Sequence, residues 1–193
     1  MYKAGDALRK GENVVSVAGL SSPEEDEIGY LYLTGEFGVY SLSPFTDAEN
    51  RATVTDGPFV IGKRPTAADG GNIVPCGLAF FRGKLVLEGE FTVDGTAGAY
   101  RVAFDSPRAA LIKVSVNGSY AGVAAWGDCS VDVTEFTRAG INSITLEVVV
   151  GNRNLLGPHH AKHAEPMSVG PGDFYPYDPS EMRKDFSFVK SGI

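Results

Sequence analysis

The chain has 193 residues, of which 43% are hydrophobic and 21% are charged. This balance predicts a soluble globular protein and excludes disordered, fibrous and membrane-spanning chains. Lys and Arg total 17 against 24 Asp and Glu, which gives a net charge of −7 without any basic cluster along the sequence. We therefore expect neither a nucleic-acid partner nor insertion into a membrane.

The length predicts one domain over 1–193, with 1–75 as a candidate decorated N-terminal segment. No apolar run of signal-peptide length follows Met1. The compartment therefore stays open between secreted, periplasmic and cytoplasmic. Cys76 and Cys129 could pair in an oxidising compartment, but two cysteines are no disulfide framework, and we expect two free, largely buried thiols.

Short runs of alternating apolar and polar residues predict strands along most of the chain. The predicted strands, in chain order, are 14–18, 28–33, 36–41, 59–61, 85–93, 100–104, 112–116, 120–125, 144–148 and 186–190. No long amphipathic helix is predicted, only short helical turns near 6–9, 134–138 and 180–184. A long loop is expected over 157–180. The pattern predicts an all-β, antiparallel β-sandwich.

One stretch carries the most specific local signals. Asn117-Gly118 lies between two apolar-alternating runs, which predicts a tight type I′ hairpin turn. Gly122 lies inside the following strand and predicts a bulge or a close backbone approach. Thr134 is expected to cap the amides of a short turn, and Gly140 and Asn142 are expected to form the exit from that turn before the next strand.

The motifs that carry a family resemblance are Val116-Asn117-Gly118, Gly122, Asp132-Val133-Thr134, Gly140-Ile141-Asn142 and Ile144-Thr145-Leu146. Together they resemble the sugar-binding jelly-roll domain of family-two glycoside hydrolases, the β-galactosidase and β-glucuronidase group. The resemblance implies a galactose-binding-like jelly roll. The catalytic glutamates of that family belong to a (β/α)₈ barrel, for which this chain has neither the length nor the helices. No catalytic residue is therefore predicted here.

Polar groups follow the strand that ends near Val150. This segment, 151–160, resembles one in C-terminal β-domains of large bacterial glycoside hydrolase-related proteins. Arg153, Asn154, His159 and His160 could contact a sugar from this loop, or they could pin the loop to the scaffold. A zinc site would need two of the three histidines, which include His163, together with a carboxylate such as Glu165 or Asp173. It is disfavoured because adjacent histidines on an extended segment point in opposite directions.

Trp126 is the only tryptophan and lies at the end of a predicted strand, close to Asp128. Its indole could stack on a pyranose while Asp128 or Arg153 binds the hydroxyls, or it could fill the core. The full predicted ligand-binding set is Tyr120, Trp126, Asp128, Arg153, Asn154, His159 and His160.

We therefore expect a non-catalytic carbohydrate-binding or accessory module of a bacterial glycoside hydrolase-like protein. Its partner would be a glycan or a neighbouring catalytic domain. The alternatives are a ligand-free structural, interdomain or oligomerisation module and, less favoured, a small stand-alone carbohydrate-active enzyme. No cofactor is predicted, and a structural Ca²⁺ ion is compatible with each of these interpretations.

Overall fold

A computed structural model describes residues 3–18, 31–68, 70–95, 98–157, 159–160 and 182–193. The chain divides into two compact units, Met1–Gly35 and Glu36–Ile193. The described strands, all in the second unit, are β1 (Phe37–Ser41), β2 (Thr46–Asp47), β3 (Ala52–Thr55), β4 (Phe59–Lys63), β5 (Gly83–Val93), β6 (Arg101–Ala103), β7 (Leu111–Val116), β8 (Ser119–Ala124), β9 (Ser130–Asp132), β10 (Gly140–Val150) and β11 (Phe186–Val189). The described helical turns are Gly5–Ala7, Thr134–Phe136 and α1 (Arg153–Leu156).

The largest sheet has four antiparallel strands in the order β5-β10-β7-β8. Alternate side chains of its central strands, such as Ile112, Val114 and Val148, are fully buried, as the alternating sequence predicts. The opposite face of this sheet mixes charged side chains with exposed apolar ones such as Val86 and Val123. On it Glu147 accepts a hydrogen bond from Lys84 over 3.1 Å.

A second layer covers the apolar face of the four-stranded sheet. The β6–β9 pair contributes Val102 and Val131, and the segment before β5 contributes Ile73. A further sheet of order β11-β3-β2 and a β1–β4 pair complete the second unit. Every pairing between two of the described strands is antiparallel, and an isolated parallel bridge joins Val39 of β1 to Leu78. The prediction of an all-β, antiparallel sandwich is confirmed.

Aromatic side chains form a separate core beneath β11. Phe188 is buried, and its ring lies 5.1 Å from that of Phe80 and 5.9 Å from that of Phe59 in edge-to-face geometry. Phe186 meets Phe59 in the same way, with 4.9 Å between the ring centroids. Such pairs add stabilisation beyond their buried area, so this core fixes β11 against the rest of the unit.

The hairpin signals are confirmed. Asn117 and Gly118 have φ values of 51° and 79°, as a type I′ turn requires. A bulge follows in β8, where the register with β7 shifts. Gly122 faces β9 so closely that a Cβ there would lie 2.8 Å from a methyl group of Val131.

Several local predictions are wrong. Residues 14–18 and 31–33 form no strand, because no described strand pairs with them, and their apolar side chains stay exposed. The sequence analysis missed β2, β3, β9 and α1. Thr134 does not cap the 134–136 turn. Its backbone N–H instead donates to Asp132 over 2.9 Å, while its hydroxyl accepts a hydrogen bond from the backbone of Tyr100.

In the first unit, a short 3-10 turn covers Gly5–Ala7. Asn13 organises the residues that follow, because its side chain accepts from the N–H of Arg9 and donates to the carbonyls of Arg9 and Gly11. Across the described part of the chain, helices of the length and apolar character needed to cross a membrane are absent. Of the predicted loop 157–180, only Gly157, His159 and His160 are described, and the predicted turn at 180–184 is described from Met182 onward without helix.

Candidate functional site

The loop that follows β8, residues 125–129, carries the lone tryptophan on its surface. The Trp126 side chain is 89% exposed. The next residue, Gly127, has a φ of 74°, and Cys129 has a φ of 47°, so the chain turns tightly directly after the indole. We call this segment the Trp126 loop. A flat apolar ring held in solvent in this way is available to stack on a ligand.

Asp128 anchors the Trp126 loop. Its carboxylate accepts hydrogen bonds from the backbone N–H of Ser130 over 3.3 Å and from the Ser130 hydroxyl over 2.8 Å. The same carboxylate pairs with the guanidinium of Arg101 over 3.1 Å. The hydrogen bond from the Ser130 side chain, assisted by the positive charge of Arg101, lowers the pKa of Asp128 below its usual range. Asp128 is therefore ionised at neutral pH and keeps both partners.

A row of polar side chains extends from this anchor over β6 and β9. Arg101 on β6 pairs in register with Asp132 on β9, and Ala103 pairs with Ser130. Arg101 and Asp132 are both exposed. Hydrogen bonds from Thr134, and to a smaller extent the charge of Arg101, lower the pKa of Asp132. The result is an exposed strip of donors and acceptors, which Asp128 joins to the Trp126 loop.

A cleft of about 610 Å³ opens at the far end of β5. Its described lining consists of Phe91, Thr92, Val93, Asp94, Gly95, Tyr100, Arg101, Val102, Val133 and Ile144. Because Val93 pairs with Gly140, the cleft lies at the opposite end of the four-stranded sheet from the last residue of β8. Arg101 belongs to both places, since it lines the cleft and pairs with Asp128.

Tyr120 does not join the Trp126 loop. It pairs with Ser115 beside the hairpin turn, whereas Ala124 pairs with Ile112 at the other end of β7. Four residues along a strand separate Tyr120 from Ala124, the last residue of β8, by roughly 13 Å. Tyr120 is exposed, but at the opposite end of the same strand.

Arg153 emerges on the same end of the sheet as the Trp126 loop. Ala124 pairs with Ile112, which pairs with Val148 near the end of β10. The ends of β8 and β10 therefore lie on either side of β7, with roughly 10 Å between these two strands. Arg153 begins α1 and is half-buried.

Asn154, His159 and His160 bind the backbone of the scaffold. Asn154 is 4% exposed, and its amide both donates to the carbonyl and accepts from the N–H of Val189, each over 2.8 Å. The ring of His159 lies 2.6 Å from the carbonyl oxygen of Asn154, and that of His160 lies 2.8 Å from the carbonyl oxygen of Asp185. These contacts are those of the pinning alternative, in which the segment is fastened to β11.

The environment of His159 also fits a structural role. Its ring packs against Phe80 and Phe188, with centroid distances of 5.3 and 5.2 Å. Burial lowers the pKa of His159, and the charge of Arg153 adds to this effect. The imidazole is consequently neutral at neutral pH and suited to an apolar setting.

Cys76 and Cys129 are free and partly buried. Among the described residues, His, Cys, Asp and Glu side chains form no group of three that could hold a metal ion. His163, Glu165 and Asp173, considered as metal ligands from the sequence, lie outside the described residues. Arg101 is the polar residue that the sequence analysis missed. Its pairing with Asp128 depends on the β6–β9 register, for which the linear sequence holds no signal.

No protein-family model and no curated protein matches this chain. Solved structures do. A rhamnosidase from Novosphingobium sp. PP1Y is 20% identical over 86% of this chain and 16% of its own, with a TM-score of 0.40. A β-glucuronidase from Bifidobacterium dentium is 18% identical over 83% of this chain and 31% of its own, with a TM-score of 0.38. A β-D-glucuronidase from Dictyoglomus thermophilum is 18% identical over 74% of this chain and 25% of its own, with a TM-score of 0.32.

The chain thus spans less than a third of the length of each of these three proteins. These three structural neighbours are glycoside hydrolases. With TM-scores below 0.5, these similarities do not assign an activity to this chain.

Proposed function

We propose that this chain is a non-catalytic carbohydrate-binding module, in which the Trp126 loop and the polar strip of Arg101, Asp128 and Asp132 contact the sugar. One observation carries the proposal: the lone indole is 89% exposed, on a loop anchored by its own carboxylate. An aromatic ring stacks on the apolar face of a pyranose, while neighbouring charged groups bind the hydroxyls.

The exposure of this surface supports weak binding of a sugar. Arg101 and Asp128 are largely exposed, so each hydrogen bond to a sugar replaces one to water and adds little affinity. The stacking area of Trp126 would supply most of the binding energy. Of the seven residues predicted from the sequence, this proposal keeps Trp126 and Asp128 as sugar contacts.

The test is retention of the protein on immobilised glycans, chosen from a glycan array of the wild-type chain. Trp126→Ala should abolish retention and leave Tm unchanged, because the removed side chain has little packing to lose. The matched control is Tyr120→Ala, which also removes an exposed aromatic ring, and this variant should still bind the glycan. If Trp126→Ala binds as wild type does, or if the wild-type chain binds no glycan, the proposal fails.

The second candidate function is a structural or interdomain module, and the first unit, Met1–Gly35, supports this candidate. The exposed large apolar side chains of that unit are Leu8, Val14, Val15, Val17, Leu31, Tyr32 and Leu33. Apolar surface of this kind suits a covering partner, either a neighbouring catalytic domain or a second copy of the chain. The double variant Val14→Ser, Val15→Ser should then lower self-association or domain binding in sedimentation velocity. Unchanged association would count against this candidate.

A further inference from the structure

A second, smaller cleft is lined by basic side chains. Its volume is about 240 Å³, and its described lining consists of Arg51, Pro107, Arg108, Ala109, Gly151, Arg153, Asn154, Val189, Lys190 and Ser191. We call it the basic cleft. Four of these ten residues are Arg or Lys and none is acidic, although the chain as a whole has a net charge of −7. The sequence analysis did not detect this concentration of positive charge.

Backbone hydrogen bonds hold the basic residues around the C-terminal segment. The carbonyl of Arg51, in the turn between β2 and β3, accepts from the N–H of Lys190 over 3.1 Å. The backbones of Arg108 and Gly192 exchange two hydrogen bonds, over 2.9 and 3.3 Å. Arg153 precedes Asn154, whose amide is bound to β11. The positive side chains therefore extend from fixed backbone positions, which reduces the entropy lost on binding a ligand.

The positive charge of the basic cleft is only partly neutralised. Lys190 pairs with Asp47 over 2.7 Å. Within the described part of the chain, no ion pair involves Arg51 or Arg108. Two guanidinium groups in one cleft repel each other, and a bound anion would relieve that repulsion.

A hydroxyl group in the lining adds a further observation. Ser191 lines the basic cleft and is only 5% exposed. No hydrogen bond of its hydroxyl occurs among the described residues, and because every buried side-chain oxygen or nitrogen there has a partner, this hydroxyl is open to solvent. The hydroxyl is therefore available as a donor to a ligand in the cleft.

We propose that the basic cleft binds an oxyanion, that is, a carboxylate, sulfate or phosphate group. Guanidinium groups match the geometry of such groups through paired N–H donors, and the Ser191 hydroxyl would supply a further hydrogen bond. The oxyanion is either a free ion or a substituent of a larger molecule such as an acidic saccharide. This site does not depend on the Trp126 loop, so the carbohydrate proposal can fail without affecting it.

One cleft residue can lose its charge without strain in the backbone. Arg51 has a φ of 66°, in the left-handed region where glycine is at ease and other residues are strained. Arg51→Gly should therefore remove the positive charge without loss of Tm. Asn50 precedes it with a φ of 53°, and Asn50→Gly is a matched control that makes the same backbone change without altering charge.

Binding is measured by isothermal titration calorimetry at constant ionic strength in chloride, with sulfate, phosphate, glucuronate and glucose as separate probes. The wild-type chain should bind at least one of the three anions, and it should bind glucose more weakly than that anion. Arg51→Gly and Arg108→Gln should each weaken that binding by roughly tenfold, the effect of losing one charge-assisted contact. Asn50→Gly and Arg138→Gln, a charge loss outside the cleft, should bind as wild type does.

Tighter binding of glucuronate than of sulfate and phosphate would identify a saccharide-borne carboxylate, and the reverse order would identify an inorganic ion or an ester group; both results support the site. The proposal is overturned if no anion binds above the chloride background. It is also overturned if both cleft variants bind as tightly as wild type, or if Arg138→Gln weakens binding as much as they do.

Discussion

Removal of the Asn154 side chain tests whether the segment after β10 is a structural pin. Asn154→Ala deletes two hydrogen bonds to the backbone of Val189, each 2.8 Å long. Each bond contributes about 1 kcal/mol, and a buried group left without a partner costs about 1–3 kcal/mol more. Val189 is half-buried, so water can replace part of the loss. We expect the free energy of unfolding to fall by about 2–3 kcal/mol, and Tm by roughly 4–12 °C.

The assay is urea denaturation followed by circular dichroism, with a thermal melt as a second measurement. Asn152→Ala is the matched control, because Asn152 is exposed and makes no capping hydrogen bond to α1 through its side chain. Its effect should stay within about 0.5 kcal/mol. If Asn154→Ala proves no more destabilising than Asn152→Ala, the pinning role assigned to Asn154 is refuted.

Two further predictions concern packing and pH. Gly122→Ala should cost about 1–3 kcal/mol because its Cβ would lie 2.8 Å from buried Val131, whereas Gly89→Ala, with its nearest contact at 3.7 Å, should be neutral in urea denaturation. Equal losses of stability in the two variants would contradict the close approach of Gly122 to Val131. Burial lowers the pKa of His159 below its ordinary value of 6.5, so the unfolded chain binds the proton more readily. The contribution of neutral His159 to the free energy of unfolding should be fully present above pH 6.5 and should be lost as the pH falls through the folded-state pKa. The variant His159→Gln should lack this loss between pH 7.5 and 5.5. Identical pH profiles of the wild-type chain and the variant would contradict the role of His159 burial.

The strands with regular alternation could be predicted from the sequence. Ile112, Val114 and Val116 alternate with polar residues because one face of β7 is buried and the other is not. β3 was missed because it has only four residues, and its alternation of Ala and Val with Thr does not reveal that all four are buried. The apolar residues at 14–18 show the converse, since their pattern forms no strand where the described part of the chain offers no partner strand.

The site was harder to predict than the fold. The sequence left the role of Trp126 undecided between core and surface, and the backbone turn at Gly127 and Cys129 accompanies its exposure. The family-like motif around Asn117 and Asn142 is structural, because Asn142 is fully buried and accepts a hydrogen bond from the Asn117 side chain over 2.8 Å. The basic cleft could not be predicted, because its residues come from four distant parts of the chain.

The fluorescence of the single tryptophan tests the central proposal most directly, since Trp126 reports from the proposed sugar surface without any substitution. In the free protein we expect the emission of a solvent-exposed indole, quenched by acrylamide nearly as strongly as free tryptophan. Addition of a glycan selected from the array should shift the emission to the blue and protect the ring from quenching, with Asp128→Ala weakening the effect. An indole that is shielded in the free protein, or one whose emission and quenching stay the same at saturating glycan, would contradict the account.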